Sequence, residues 1–186
     1  RNIIIVGTKI AGVDEVGRGC LAGPVVAAAV ILKKNIDGLK DSKKLNQNQR
    51  KKFSKIIIEN SYFAYGSASE KEIDQTNILN ATLLAMKRAI LNLPIKPSKI
   101  FVDGIQKPDV EYEIESVIKG DSIIKQISAA SIIAKVRRDN LMQMLDKEYP
   151  EYQFSKNKGY GTKSHFEALK TYGYCPIHRK TFKGVL

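Results

Sequence analysis

The chain has 186 residues, 43% of them hydrophobic and 27% charged, and a formal net charge of +12. This length suits one domain with a core of its own, and no charge-free apolar run approaches the roughly 18 residues a membrane span needs. Two cysteines (Cys20, Cys175) and two histidines (His165, His178) are too few and too scattered for a disulfide framework or an imidazole or thiolate metal cluster. A reducing compartment, the cytoplasm, is therefore expected, and any metal should be bound by oxygen.

Residues 1–7 are too brief for a signal peptide and run almost at once into a strand. They lack a Met, so the numbering is compatible with a start inside a longer chain. Strand patterns follow at 9–16 and 24–32, joined by a tight Gly-rich turn that should pair them antiparallel. Asn46-Gln47-Asn48-Gln49 reads as a capping box opening a helix over 46–59. A strand at 62–68 comes next, and Ser69-Glu70-Lys71-Glu72 reads as a second capping box. From 77 to 91, Leu79, Leu83, Met86 and Ile90 recur at helical spacing, and Pro94 and Pro97 end that element.

Two short strands are expected at 99–102 and around 116–118. The longest helix should span about 122–147, with Ile123, Ile127, Ala130, Ala134, Leu141 and Leu145 on its core face. A last helix over 163–171 should stop at Gly173. Strands in a meander, then alternating with helices, predict a single α/β domain over 1–186. Its mixed five-stranded sheet would be flanked by helices, with a basic helical segment at about 156–186 packed beside it.

The positive charge is concentrated. Residues 33–55 hold nine basic side chains against two acids, and 156–183 hold seven against one. Those blocks carry +7 and +6, so the rest of the chain sums to −1. Two basic blocks on a near-neutral body point to a polyanion, nucleic acid first, with plain solubility as the alternative.

Against that background the acids stand out. Ala11-Gly12-Val13-Asp14-Glu15-Val16-Gly17-Arg18-Gly19 sets two adjacent carboxylates at the end of an apolar run and then enters a glycine loop. Adjacent side chains on a regular strand diverge, whereas at a strand end both can turn toward one cation. The glycines let backbone amides approach a ligand, and Arg18 suits a phosphate or a sugar edge. Ile100-Phe101-Val102-Asp103-Gly104 and Val117-Ile118-Lys119-Gly120-Asp121-Ser122 deliver two further acids to strand ends. Singly, each has an ordinary reading: Asp103 in a turn, Asp121 as a helix N-cap. Together they would repel one another unless cations neutralised them. Two Mg²⁺ ions roughly 3.5–4 Å apart would do so and would serve in-line phosphodiester cleavage.

These segments, with Leu21-Ala22-Gly23-Pro24, Asp41-Ser42-Lys43-Lys44-Leu45, residues 127–135 (ISAASIIAK), Lys158-Gly159-Tyr160-Gly161-Thr162 and His178-Arg179, resemble bacterial ribonuclease HII in order over about 10–185. The resemblance implies a ribonuclease H-like fold. It implies an endonuclease that cuts the RNA strand of RNA–DNA hybrids and cuts 5′ of single ribonucleotides in duplex DNA, leaving a 3′-hydroxyl and a 5′-phosphate. Such an enzyme opens removal of misincorporated ribonucleotides and trims primer RNA. It would depend on two Mg²⁺ or Mn²⁺ ions and act as a monomer. Asp14, Glu15, Asp103 and Asp121 would be the catalytic, metal-binding set.

By the same resemblance, Gly17, Arg18 and Gly19 look like the loop that meets the ribose 2′-hydroxyl, the group that separates RNA from DNA. Tyr160 is similar to the tyrosine that stacks on the sugar at the RNA–DNA junction, and Thr162 would assist it. Ser42, Lys43 and Lys44 fit a phosphate-contact loop or, more plainly, a polar turn before a helix. His165 stands evenly between a phosphate contact and a structural hydrogen bond. Asp139 lies deep in the long helix, where an ion pair is expected, and falls outside the metal set. Cys20 and Gly161 occupy places where the family often has Pro.

The related ribonuclease HIII, which would need an extra N-terminal substrate-binding domain, is not the branch expected here. Residues 180–186 show no clear version of the clamp-binding peptide some members carry, so no such partner is expected. Two other readings remain open. One is a non-enzymatic basic nucleic-acid-binding module. The other is a ribonuclease H that needs several consecutive ribonucleotides.

Overall fold

A computed structural model of the chain describes residues 9–186; the apolar opening at 1–7 lies outside them. Five strands form one sheet: β1 (Ile10–Val16), β2 (Val25–Leu32), β3 (Ser61–Ala68), β4 (Lys99–Asp103) and β5 (Ile114–Val117). The order across the sheet is β3-β2-β1-β4-β5. β1, β2 and β3 make the expected antiparallel meander, while β4 and β5 add parallel to β1. The sheet is therefore mixed, with β1 at its centre.

The described residues also form six α-helices, of which α1, α3 and α4 pack on the sheet: α1 (Gln47–Glu59), α2 (Glu70–Gln75), α3 (Ile78–Leu91), α4 (Lys125–Glu148), α5 (Phe154–Asn157) and α6 (Lys163–Tyr172). Both predicted capping boxes close. Gln49 N–H donates to the Asn46 side chain at 2.8 Å, and Asn46 N–H donates to Gln49 Oε1 at 3.0 Å. Ser69 and Glu72 exchange the same pair of bonds at 3.1 Å. Each N-cap stabilises its helix by about 1 kcal/mol.

The two faces of the sheet bury separate clusters. On one, Ala11, Val13, Ala27 and Ala29 meet Ala85, Ala89 and Ile90 of α3. On the other, Ala28 and Val30 meet Ile57 of α1 and Ala130 and Ile133 of α4. Covered on both sides, β2 is buried at seven of its eight positions and reads as a continuous apolar run. No helix among the described residues is long and apolar enough to cross a membrane.

The regular part of α4 begins at Lys125, later than the sequence pattern suggests. Residues Gly120–Ser122 form a separate 3-10 turn, entered through Lys119 at φ 54°. Ile123, expected on the core face, is 54% exposed because it caps this turn and lies ahead of the amphipathic repeat. The C-terminal segment packs a third cluster, with Leu21, Met142, Tyr152, Phe154, Leu169 and Ile177 at its centre. Asp74 of α2 clamps it by accepting hydrogen bonds from Lys180 N–H, Thr181 N–H and the Thr181 hydroxyl.

The start of α4 is pressed onto the central strand at Gly12. A Cβ there would stand 2.1 Å from the Gln126 carbonyl carbon and 2.3 Å from Ile127 N, both immovable backbone atoms. Gly12→Ala should therefore lose about 1–3 kcal/mol, the usual cost of overpacking, in urea-unfolding measurements. An unchanged midpoint would mean that α4 sits farther from the sheet.

Candidate active site

Asp14 and Glu15 both lie inside β1, paired in register with Ala28 and Ala27 of β2. The pleat sends them to opposite faces, Asp14 toward the α4 side and Glu15 toward the α3 side. Asp14 is 6% exposed, and its Oδ1 turns back to accept the Glu15 N–H at 2.8 Å. β4 runs parallel beside β1 and ends on Asp103, whose Oδ1 accepts the Asp121 N–H at 3.4 Å. Asp121 sits in the 3-10 turn and leaves the N-cap of α4 to Ile124, which makes no side-chain cap. The capping reading of Asp121 therefore fails, and its carboxylate faces Lys43 Nζ at 3.2 Å.

Glu15 lines two openings at this end of the sheet. One cavity, of about 370 Å³, is shared with Asp103, Arg18, Leu79, Leu83 and Met86. The other, of about 220 Å³, is shared with Asp121, Ser42, Lys43, Arg50 and Lys135. All four predicted carboxylates thus gather around one end of β1 and β4. Burial, then the charges of Glu15 and Asp103, raise Asp14 well above the usual carboxylate range. Burial also raises Glu15.

The loop after β1 is held from behind by two arginines that the sequence reading did not assign to the site. Arg179 donates to the carbonyls of Gly17 at 2.6 Å, Arg18 at 2.8 Å and Gly23 at 2.9 Å. Arg138 donates to the carbonyls of Pro24 at 2.9 Å, Ala22 at 2.8 Å and Lys158 at 2.5 Å. Gly17 is required twice over: its φ is 89°, and a Cβ would stand 2.2 Å from Arg138 Nε. Gly19, by contrast, faces open space, so its backbone is free to meet a ligand. The Arg18 side chain is half-exposed and reaches Glu15 at 3.7 Å.

The same loop joins the glycine turn that carries Tyr160. Leu21 N–H donates to the Gly159 carbonyl, and Arg179 N–H donates to the Leu21 carbonyl, each at 2.8 Å. Tyr160 is 40% exposed, and beside it the buried thiol of Cys20 donates to the Lys158 carbonyl at 3.6 Å. Burial raises the pKa of both groups. Thr162 is exposed, with its hydroxyl capping α6 by accepting the His165 N–H at 3.2 Å.

Ser42 is buried at the floor of the smaller cavity, 3.5 Å from the Ser128 hydroxyl, while Lys43 and Lys44 are exposed. His165 is fully buried, with Nδ1 on the Tyr160 carbonyl and Nε2 on His178. A ring with no exposed edge and both nitrogens occupied does not reach a phosphate. Its sequence assignment as a substrate-binding residue is corrected to a structural hydrogen-bonding one. Asp139 makes its expected ion pair, with Lys135 at 3.0 Å.

The donor set fits a hard divalent cation. Glu15 Oε2 is buried without any hydrogen-bond partner, and burial with the charges of Glu15 and Asp103 makes Asp14 hold its proton above the usual carboxylate range. Among the described residues no three acids, histidines or cysteines are drawn tightly enough together to form a ready-made metal cage. Mg²⁺ tolerates this because it keeps several waters and binds through one or two carboxylates.

The raised Asp14 has a thermodynamic signature. Between its unfolded and folded pKa values the native state binds more protons, so metal-free stability falls as pH rises through that window. Asp14→Asn should therefore raise the thermal midpoint in EDTA near neutral pH, and Mg²⁺ should stabilise the parent protein more than the variant. Melting curves that respond identically to Mg²⁺ would remove Asp14 from the cation site.

The chain is similar to known proteins. The family model for Ribonuclease HII matches residues 11–185. The ribonuclease HII of Pelagibacter ubique is 56% identical over 179 residues, covering 95% of this chain and 96% of that protein. The crystal structure of ribonuclease H2 from Pyrococcus horikoshii superposes with a TM-score of 0.82 at 32% identity, covering 96% of this chain and 95% of that one. A Bst ribonuclease HIII solved in complex with Mn²⁺ shares the fold, with a TM-score of 0.71 at 21% identity over 96% of this chain and 68% of that one. Sheet order, carboxylate cluster and whole-chain similarity lead to one conclusion: the chain belongs to the ribonuclease HII family and is an endoribonuclease.

Proposed function

We propose that this enzyme hydrolyses the RNA strand of RNA–DNA hybrids and cuts on the 5′ side of single ribonucleotides embedded in duplex DNA, leaving a 3′-hydroxyl and a 5′-phosphate. One observation carries the reading: the cluster of Asp14, Glu15, Asp103 and Asp121 opens beside a glycine loop whose backbone is free at Gly19 and which is tied to the turn bearing Tyr160. Carboxylates supply hard-cation ligands, and a backbone-lined loop is suited to a small hydroxyl such as the ribose 2′-OH.

In this reading Asp14, Glu15, Asp103 and Asp121 hold two Mg²⁺ or Mn²⁺ ions. When bound, these would activate the attacking water and stabilise the leaving oxygen. The chain's own residues do the positioning. Gly17, Arg18 and Gly19 receive the ribose edge, and the exposed ring of Tyr160 stacks on the sugar at the junction. Thr162 fixes the turn behind Tyr160. Lys43 and Lys44 contact the phosphate backbone, with Ser42 bracing their turn from beneath.

The basic block at residues 33–55 extends that phosphate surface along α1, which lets one protein unit hold the duplex without reading its sequence. The whole chain then works as one catalytic domain and as a monomer. Both described cysteines are buried free thiols, which supports a cytoplasmic site of action in ribonucleotide removal and primer trimming.

The test uses duplex DNA with one embedded ribonucleotide, end-labelled on that strand, with Mg²⁺, Mn²⁺ or EDTA. The expected result is one metal-dependent cut immediately 5′ to the ribonucleotide. Cleavage of long hybrids alone would retain the nuclease and discard the junction role. Salt-sensitive binding without any cut would overturn the catalytic reading. Asp14→Asn should abolish cutting yet bind the duplex with parent affinity, since the basic blocks remain. Tyr160→Ala should lose more cleavage of the single-ribonucleotide duplex than binding to it; equal losses would make Tyr160 an ordinary contact.

A further inference from the structure

Behind Tyr160, away from the carboxylates, the only two histidines of the chain meet in the interior. His165 Nε2 and His178 Nε2 are 2.8 Å apart, and both rings are buried, at 0% and 1% exposure. Two equivalent ring nitrogens at that distance need one proton between them, so the direction of the bond has to be assigned from the other contacts.

Those contacts leave one solution. Cys175 N–H donates to His178 Nδ1 at 3.0 Å, so that nitrogen carries a lone pair. A neutral His178 therefore bears its proton on Nε2 and donates it to His165 Nε2. His165 then bears its proton on Nδ1 and donates it to the Tyr160 carbonyl at 2.8 Å. The line runs from a fixed donor, the Cys175 amide, to a fixed acceptor, the Tyr160 carbonyl. Any added proton sets two N–H groups against each other at one of its bonds.

We propose that His165 and His178 are a positioning pair for Tyr160, holding its turn through a one-way line of hydrogen bonds that is complete only while both rings are neutral. The proposal rests on the reading of Tyr160 as the residue that stacks at the RNA–DNA junction. Neither ring touches substrate; both act through the Tyr160 backbone, which also accepts Thr162 N–H at 2.9 Å.

The surroundings keep the pair neutral. The Tyr152 ring stands edge-on to His178 with centroids 4.7 Å apart, and Phe154 stands edge-on to His165 at 5.6 Å. The Tyr152 hydroxyl is spent on the Gly173 carbonyl. The remaining titratable neighbours are the buried Cys175 thiol and Glu151, which acts on Tyr152 and Cys175. Among the described residues no carboxylate pairs with either ring within ion-pair distance. Burial lowers His165, and burial together with the His165 charge lowers His178 from 6.5 to about 4.

At His178 the folded state therefore binds fewer protons than the unfolded chain between about pH 4 and 6.5, so this pair's contribution to stability declines as pH falls through that window. The Tyr160 turn should loosen along with the pair.

The test combines spectroscopy with a double-mutant cycle on untagged protein. Nitrogen-edited NMR of the two imidazoles near neutral pH should show opposite tautomers, Nδ1–H for His165 and Nε2–H for His178, with neither titrating near 6.5. Identical tautomers, or an ordinary titration, would overturn the line whatever the variants do.

His178→Phe and His165→Phe should each lose about tenfold or more in kcat/KM on the single-ribonucleotide duplex, consistent with a misplaced contact group, and markedly less on a long RNA–DNA hybrid. In the Tyr160→Ala background the same histidine changes should add no further selective loss. Equal losses on both substrates, persisting in that background, would mean simple destabilisation and refute the positioning role. If Tyr160→Ala itself leaves junction selectivity intact, the reading of Tyr160 fails, and the positioning proposal falls with it. If Tyr160→Ala removes that selectivity and the histidine changes do not, the positioning proposal alone fails.

Discussion

Arg138 and Arg179 are fully buried, and among the described residues neither has a carboxylate partner. Burying a guanidinium costs several kcal/mol unless its donors are met. Here six backbone carbonyls meet them, from Gly17, Arg18, Ala22, Gly23, Pro24 and Lys158. Hydrogen bonds to a charged donor contribute about 1.5–3 kcal/mol each, enough to offset that burial. Burial lowers Arg179 to about 10, which leaves it charged at neutral pH. Those six bonds join the loop after β1, the turn before Tyr160 and the C-terminal segment. The proposed recognition geometry depends on that knot.

The carboxylates follow the opposite logic. Among the described residues no cation pairs with Asp14: Arg18 reaches Glu15 at 3.7 Å, and Lys43 reaches Asp121. The strand holds Asp14 and Glu15 in place through its pairing with β2 and β4, while burial raises the pKa of both and the charges of Glu15 and Asp103 raise Asp14 further. Such a site is destabilising by itself and becomes favourable when a divalent cation arrives. Concavity alone would have misdirected attention. A larger groove, of about 720 Å³, lies at the β3 edge beside Tyr65, Arg88 and Arg137 and contains no acid. Charge marks the active site better than volume does.

The outer edge of β3 shows how the fold keeps a free strand from pairing with another chain. Arg88 donates to the Ser67 carbonyl at 2.8 Å and Asn92 donates to the Tyr65 carbonyl at 3.0 Å. Arg88 belongs to α3 and Asn92 caps its C-terminus, so the helix that fills one face of the sheet also occupies hydrogen-bonding positions along its rim. Arg88 is in turn fixed by a bidentate pair with Glu72, which holds that carboxyl down near 2. Glu72 itself belongs to the second capping box. Local capping and edge protection are thus parts of one network.

The elements were legible because their signals are local. Alternation and apolar runs marked all five strands, and the caps at Asn46 and Ser69 depend on residues three positions apart. Asp103 and Asp121 were legible because each ends or follows an apolar strand beside glycine; Asp14 and Glu15 stood out as adjacent acids in an apolar run, but the structure keeps both inside β1 on opposite faces rather than at its end. Long-range placement was not legible. His165 reads equally well as a phosphate ligand until its partner, 13 residues away, is seen to occupy its second nitrogen. Ile123 fits the helical repeat until the preceding 3-10 turn breaks it. Arg138 looks like any surface cation in a basic chain until a carbonyl 116 residues distant accepts its proton. A sequence by itself determines periodicity, capping and the order of chemical groups. Only the tertiary structure decides which carbonyls a buried arginine reaches and which face a ring presents, because those contacts join segments far apart in the chain.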